Sequence, residues 1–418
     1  MSDRGSIDTI RRRNRILILE TLRRSGAMAR IELGRLAKLA PATISSITND
    51  MLAEGLLRTV SGDTGEMRFA GRGRPRVTLD LDPRAAMVLG IKLSINTLSL
   101  ALADYTGAVV DRADLTFSSL EVTETCLLDV METEIRAFLE ARGIAVEAIS
   151  EISIAGQGFV DSAGGTIVWS PALSVRNVAV TDPLALRLGV PCIMSNDANM
   201  IAQALNWADP ETYGGTFAVI FVDYGVGMGL FINGQLYSGQ SGAASEFGHM
   251  NHQPEGPLCR CGRRGCLEAF VSQYAIWRRA HGVSPLADPR LTDPGDAAMR
   301  ELEARARSGE EHLVDCYREA GIALGYGIAR LMSILSPGRI VLTGSGIRAY
   351  PLMQAGVAQG LEAALVEDLL KLSKVDVVPW DRDLIANGAI AAALRRLDRD
   401  RFAERGTDWN ELDAESAE

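Results

Sequence analysis

Apolar residues in the first sixty positions recur at helical spacing and fall into three groups. Ile10, Leu17, Leu19 and Leu22 form one face, stopped by Gly26. Ile31, Leu33, Leu36 and Leu39 form a second. Pro41 opens a third, where its missing N–H costs nothing at the first helical position. Ile44, Ile47, Met51 and Leu52 are its apolar residues, and Gly55 ends it. The pattern leaves Thr43, Ser45, Ser46, Thr48 and Asn49 outward, short polar side chains suited to base edges in a major groove. Arg30, opening the second group, joins them as a candidate DNA contact. Leu56–Val60 and Met67–Phe69 read as a hairpin, so residues 1–70 are expected to form a winged helix-turn-helix.

A basic linker, residues 71–82, follows. Arg72 and Arg74 in AGRGRPR sit on an extended Gly/Pro backbone. They suit insertion into a narrow minor groove, or merely a solvated linker. From residue 83 the texture becomes α/β. Val88–Ile91, Leu98–Ala103 and Ala108–Leu115 read as strands, Cys126–Arg142 as a helix and Ile149–Ala155 as a strand. A second run of strands appears at Phe217–Asp223, Gly229–Ile232 and Gln235–Tyr237. This duplication over residues 83–396 predicts two lobes with a cleft between them. Residues 397–418 are polar and mainly acidic, and read as a disordered tail.

Charge sharpens the division. The net charge of -10 over 418 residues hides a basic head: Met1–Leu79 carries 15 Arg plus Lys against 8 Asp plus Glu. That leaves +7 on the head and -17 on the remainder, and the commonest anionic partner of such a head is nucleic acid. The longest apolar runs, such as Phe217–Val222 and Ile385–Leu394, fall short of the roughly 20 residues that span a bilayer. With no apolar segment at the amino terminus, a cytoplasmic location and no membrane partner are expected.

Of six cysteines, Cys126, Cys192 and Cys316 stand in apolar surroundings and read as core. Cys259, Cys261 and Cys266 are clustered in GHMNHQPEGPLCRCGRRGCLE, and three thiols with a nearby imidazole suit a tetrahedral structural zinc site. Spacing alone leaves His249 and His252 as alternatives for the fourth ligand, and a metal-free thiol cluster as another reading.

Several strings resemble the ROK family of bacterial sugar repressors, open reading frames and sugar kinases. Cys259–Glu268 reproduces its C-x-C-G-x-x-G-C-L-E element, and Ser245–His249 its G-E-x-G-H element with Ser245 for the first glycine. Ser195–Asn199 is similar to E-N-D-A-N, and Ala155–Asp161 to the P-G-x-V-D turn with Gln157 for proline. The resemblance, from the head to about residue 396, implies a two-lobed actin-like, ribonuclease H-like sugar-kinase body with a zinc-binding segment. It selects His249, with Cys259, Cys261 and Cys266, as the zinc ligands. It also implies that Asn196, Asp197, Glu246, His249 and Glu268 contact a sugar. Ala172 stands where the family has a sugar-contacting Asn.

Asp197 falls on the catalytic-base position of the kinase members, yet both phosphate loops depart from the kinase pattern. In place of D-x-G-G-T the chain has Lys92-Leu93-Ser94-Ile95-Asn96. In place of G-T-G-I-G-G-G it has Asp223-Tyr224-Gly225-Val226-Gly227-Met228-Gly229. Ile95 brings a branched side chain where backbone should meet phosphate, and Asp223 brings a negative charge. The glycines of Thr343-Gly344-Ser345-Gly346 are expected to serve packing. The expected function is therefore a sugar-responsive repressor, without catalytic residues, that binds double-stranded operator DNA as a homodimer or homotetramer. An active sugar kinase carrying a DNA-binding head is the alternative. A sugar-binding protein that acts on another protein is a third reading.

Overall fold

The computed structural model describes residues 2–60, 78–239, 245–372 and 374–403. The head comprises α1 (Ser2–Ser25), β1 (Met28–Ala29), α2 (Arg30–Ala37), α3 (Pro41–Ala53), β2 (Leu57–Val60) and β3 (Thr78–Leu81). Its three strands are ordered β1-β3-β2, all antiparallel. Leu57–Val60 thus pairs with Thr78–Leu81; Met67–Phe69, its expected partner, lies outside the described residues, as do Arg72 and Arg74. The expected linker loses its last residues to the head's sheet. The alternation Thr-Leu-Asp-Leu sends Leu79 and Leu81 into the core and lets Asp80 pair with Arg58.

Two further expectations about the head need correction. Thr48 does not point outward: it is fully buried, and its hydroxyl donates to the Ile44 carbonyl at 2.7 Å. Residues 44, 47, 48 and 51 share one helical face, so Thr48 falls on the core side of α3. On α1 the buried apolar residues are Ile18, Leu19 and Leu22, while Ile10 is exposed, as are Ile31 and Leu36 on α2. The inward face of α1 instead carries Arg15 and Arg23, which engage the body.

The first lobe contains β4 (Met87–Ser94), β5 (Thr97–Asp104), β6 (Val109–Thr116), α4 (Glu124–Glu140) and β7 (Ile149–Gly156). A small sheet follows, of β8 (Phe159–Asp161), β9 (Thr166–Trp169) and β10 (Val178–Ala179), then α5 (Thr181–Leu188), β11 (Cys192–Asn196) and α6 (Asp197–Ala208). The second lobe contains β12 (Phe217–Val222), β13 (Val226–Ile232), β14 (Gln235–Leu236), α7 (Glu268–Val271), α8 (Gln273–Ala280), α9 (Gly295–Arg307) and α10 (Glu311–Leu335). It ends with β15 (Arg339–Thr343), α11 (Tyr350–Ala364), α12 (Glu367–Leu372), β16 (Val375–Val377) and α13 (Leu384–Leu397). The lobe sheets, β11-β7-β4-β5-β6 and β14-β13-β12-β15-β16, share one plan. Each is an antiparallel meander extended by two parallel strands. Of the lone cysteines only Cys316 is buried; Cys126, on the outer first turn of α4, is exposed, and Cys192 is intermediate.

The lobes exchange helices. α6 leaves the first sheet and packs on β12 and β13, while α13 leaves the second and packs on β4 and β7. The two helices cross so closely that a Cβ at Gly388 would lie 1.8 Å from the Met200 carbonyl oxygen. Only glycine allows that approach, so this crossing sets the relation between the lobes.

The expectation of a disordered tail from residue 397 fails for its first residues. α13 continues into a π-helical turn, Asp398–Phe402, in which Asp398 and Phe402 are buried; residues 404–418 lie outside the described residues. The charge of this stretch is used internally. Arg23 Nη2 donates to Asp398 at 2.7 Å, and the Tyr105 hydroxyl donates to the same carboxylate at 2.7 Å. The Arg15 Nε–H donates to the Phe402 carbonyl at 2.9 Å, and Arg15 also pairs with Glu54. One apolar core joins Ile18, Leu19 and Leu22 of the head to Tyr105, Leu394, Leu397 and Phe402 of the body. No helix among the described residues is long and apolar enough to cross a membrane.

Candidate functional site

A cleft opens between the lobes, lined from both. The first lobe contributes Gln157, Trp169, Asn196 and Asp197, and the second contributes Glu246, His249, Arg260 and Glu268. The fold thus brings together all five sugar-facing candidates. Their environments differ, and so do the roles open to them.

Asn196 and Asp197 lie where β11 meets α6. Asn196 caps the helix, its Oδ1 accepting from the Ala198 N–H at 2.8 Å while its Nδ2 donates to the Gly158 carbonyl at 2.6 Å. That leaves one amide hydrogen to offer a ligand. Asp197 is buried, and desolvation raises its pKa to about 6; the Ala198 N–H and the Lys92 ammonium pull the other way. Glu268 is mostly engaged, accepting from the Val226 N–H at 3.1 Å and from the Tyr274 hydroxyl at 3.2 Å. Its carboxylate occupies the space over Gly225, where a Cβ would come within 2.7 Å of Oε2. Glu246 is the freest: its carboxylate is 37% exposed and lies 3.8 Å from His249 Nε2.

His249 turns its other nitrogen away from the cavity. Nδ1 lies 3.8 Å from Cys259 Sγ, and Cys261 Sγ lies 3.7 Å from Cys266 Sγ. The four ligand atoms of His249, Cys259, Cys261 and Cys266 all fall within 4.8 Å of one another. A tetrahedral zinc ion with Zn–S bonds of ~2.3 Å places its sulfurs ~3.8 Å apart, so the cluster fits the metal. His252 is not part of it; its ring packs edge-on against Phe270. Bonded to a metal through Nδ1, His249 would present Nε2 to the cavity in a fixed direction.

The two strings that depart from the kinase phosphate-loop pattern are tied down by the chain's own bonds. Ser94 pairs with Thr97, which makes Ile95-Asn96 a two-residue hairpin turn with Asn96 at φ 55°. The Asn96 N–H donates to Ser119 Oγ at 2.8 Å, and Asn96 Oδ1 accepts from the Ser119 N–H at 3.1 Å. A backbone donor of this turn is therefore already satisfied. Ser345 donates to Asp223, whose pKa burial raises. The Lys92 ammonium acts on both Asp223 and Asp197. Gly344 is required by packing, since a Cβ there would lie 2.2 Å from the Val222 carbonyl oxygen.

Gln157, Trp169 and Arg260 are among the lining residues that the sequence did not mark as site residues. Trp169 offers an apolar face beside the His249 ring, at 6.0 Å between centroids. Arg260 is held over the Tyr274 and Tyr224 rings, at 4.3 and 5.1 Å. Ala172 is buried, and Trp169 and Pro171 line the cavity beside it. In the head, Thr43, Ser45, Ser46 and Asn49 lie on the outer side of α3, and Arg30 donates to Asn49 Oδ1 at 2.6 Å.

A family model described as the ROK family matches residues 88–391. The chain is 24% identical over 340 residues to the DNA-binding transcriptional dual regulator NagC of Escherichia coli (strain K12), covering 81% of this chain and 82% of that one. It is 24% identical over 346 residues to the xylose repressor of Bacillus spizizenii, covering 82% and 85%. Among solved structures, a ROK family transcriptional regulator described as a homologue of the E. coli MLC protein superposes with TM-score 0.76. Identity is 22%, and 94% of this chain and 98% of that one are covered. A ROK glucokinase from Streptomyces griseus, solved with glucose and AMPPNP, superposes with TM-score 0.58 at 22% identity, covering 74% and 99%.

Proposed function

The chain belongs to the ROK family, and on that premise we propose that it is a sugar-responsive DNA-binding transcription regulator without kinase activity. In this reading it is a repressor of carbohydrate uptake or catabolism genes, released when a sugar or sugar derivative enters the cleft. The carrying observation is the division of that cleft. Asn196, Asp197, Glu246, His249 and Glu268 all line one cavity, while the strings that stand in place of the kinase phosphate loops hold Lys92, a turn whose Asn96 is bonded to Ser119, and Asp223 bonded to Ser345. The repressor names of the relatives support the same reading. Sugar hydroxyls both donate and accept, which suits this set of carboxylates, amide and imidazole. Zinc on His249, Cys259, Cys261 and Cys266 would be structural, holding the second-lobe ligands in place. The head would act as a winged helix-turn-helix that reads paired half-sites in a homodimer or homotetramer.

Coupling has a contiguous route. Asn196 caps α6 at the cleft, α6 crosses α13, and α13 ends at Asp398, which grips Arg23 of the head. Sugar binding alters DNA affinity only if the lobe arrangements differ in sugar affinity.

Three measurements test the proposal. ATP consumption with a panel of sugars should show no turnover; phosphorylation of any of them would overturn the non-enzymatic reading. Glu246→Ala should weaken the response to the effective sugar by about tenfold to a hundredfold, the value of a hydrogen bond to a charged group, while operator binding persists. Unchanged induction would remove Glu246 from the site. Arg30→Ala and Asn49→Ala should each lower operator affinity by about tenfold or more with sugar binding intact. Normal gel shifts in both would displace α3 as the reading helix.

A further inference from the structure

A second groove lies where α1 of the head meets the carboxyl-terminal turns of the body. It is open to solvent, and no residue lining it also lines the interlobe cleft. Four arginines line it, Arg24, Arg395, Arg396 and Arg399, against two carboxylates, Glu20 and Asp400. Three of the arginines have acidic partners. Arg24 reaches Glu20 at 3.4 Å, Arg396 reaches Glu151 at 3.0 Å, and Arg399 reaches Asp400 at 2.7 Å. Arg395 differs. Among the described residues no carboxylate lies within ion-pair distance of it; it donates to the neutral Asn206 Oδ1 and rests beside the Trp207 ring, 5.4 Å from the centroid. Burial disfavours its charge; the attraction of Glu20 outweighs the repulsion of Arg24, and Asp398 adds to it, but together they do not make up for the lost water. A half-buried guanidinium with no carboxylate in direct contact is stabilised further by an anion that reaches it. Arg24 and Arg395 also meet in a smaller pocket beside Trp207, lined as well by Glu20 and Arg23, so cations from separate elements converge there around one carboxylate. Ile193 and Leu236 provide half-buried apolar wall nearby.

We propose that this groove binds a small organic phosphate, its phosphate taken by Arg24 and Arg395 and its apolar part laid against Ile193 and Leu236. Guanidinium forks from two elements match a phosphate's several acceptor oxygens. Because Arg24 belongs to the head and Arg395 to the body, the ligand would bridge them beside the Arg23–Asp398 pair. It would therefore fix the head's placement independently of the sugar.

The test is calorimetric titration of the full chain with phenyl phosphate and with inorganic phosphate, at constant ionic strength. Both should bind, phenyl phosphate more tightly, and Arg395→Gln and Arg24→Gln should each weaken binding about tenfold, roughly one charge-assisted hydrogen bond. Arg24 is half-exposed, so its variant tests the site even if Arg395→Gln misfolds. No binding heat at millimolar phosphate, or equal heats in wild type and Arg24→Gln, would overturn the proposal. It would also fall if phenyl phosphate gave no heat while Arg24→Gln lowered the salt dependence of DNA binding by about one unit. The groove would then be meeting a nucleic-acid backbone.

Discussion

Cys261→Ser is expected to abolish zinc binding, lower the melting temperature by several degrees and weaken the sugar response. The thiolate is one of four ligands, and the small cluster of Cys259, Cys266 and Ala269, with Cys261 against it, is the local apolar core around them. Binding of a structural zinc ion is worth on the order of 10 kcal/mol in small metal-dependent folds. Here, surrounded by a folded lobe, a loss of about 3–5 kcal/mol is the reasonable scale, or ~5–10 °C. The effect should spread to the cleft. Cys259 Sγ lies 3.4 Å from Glu268 Oε1, and His249 carries both a cluster nitrogen and a cavity nitrogen. Metal content by mass spectrometry and melting with and without a chelator check this. A zinc-free wild-type protein with an unchanged melting temperature would mean the cluster is only thiols.

The second large effect is expected at the far end of the molecule. Asp398→Ala should cost about 3–5 kcal/mol, because it leaves the Arg23 guanidinium buried without its counter-charge. Both side chains are only 4% exposed, so water cannot replace the lost carboxylate. The Tyr105 hydroxyl loses its acceptor as well, at about 1 kcal/mol. Since Arg23 belongs to α1, the loss falls on the docking of the head. Residues 2–60 should become more susceptible to limited proteolysis, and operator affinity should drop even though no DNA-facing residue has changed. Asp400→Ala is the control: its carboxylate is 46% exposed, and its loss should cost less than about 0.5 kcal/mol. Equal melting temperatures for the two variants would show that the buried pair does not anchor the head.

Much of the chemistry was legible before any coordinates. Cys259, Cys261 and Cys266 are close in the chain, and short loops bring close residues together whatever the rest of the fold does; spacing left His249 and His252 open, and the family resemblance selected His249. The departure of Lys92–Asn96 and Asp223–Gly229 from the kinase pattern is legible for the same reason, since each string is contiguous. Helical spacing found α3, yet it put Thr48 on the wrong side. A threonine can serve either face, and the bond from its hydroxyl to the Ile44 carbonyl lets it be buried. The first residues of the acidic tail, through Phe402, depart from the expected disorder because charge in isolation signals solvent. Asp398 is buried only because Arg23, 375 positions earlier in the chain, is there to meet it.

The sequence by itself determined which local pieces exist: the three helices of the head, the duplicated strand pattern, the metal-ligand string and the changed phosphate loops. These depend on periods of two to four residues and on short spacings, which chain connectivity enforces. The tertiary structure decided how the pieces combine. It made Thr78–Leu81 a strand of the head, sent α6 and α13 each into the other lobe and sealed Asn96 with Ser119. It divided the five cleft residues into engaged struts and a free carboxylate, and it made Asp398–Phe402 the dock of the head. Each of these rests on contacts between residues far apart in the chain, where burial and charge pairing outweigh local preference and leave no periodic trace.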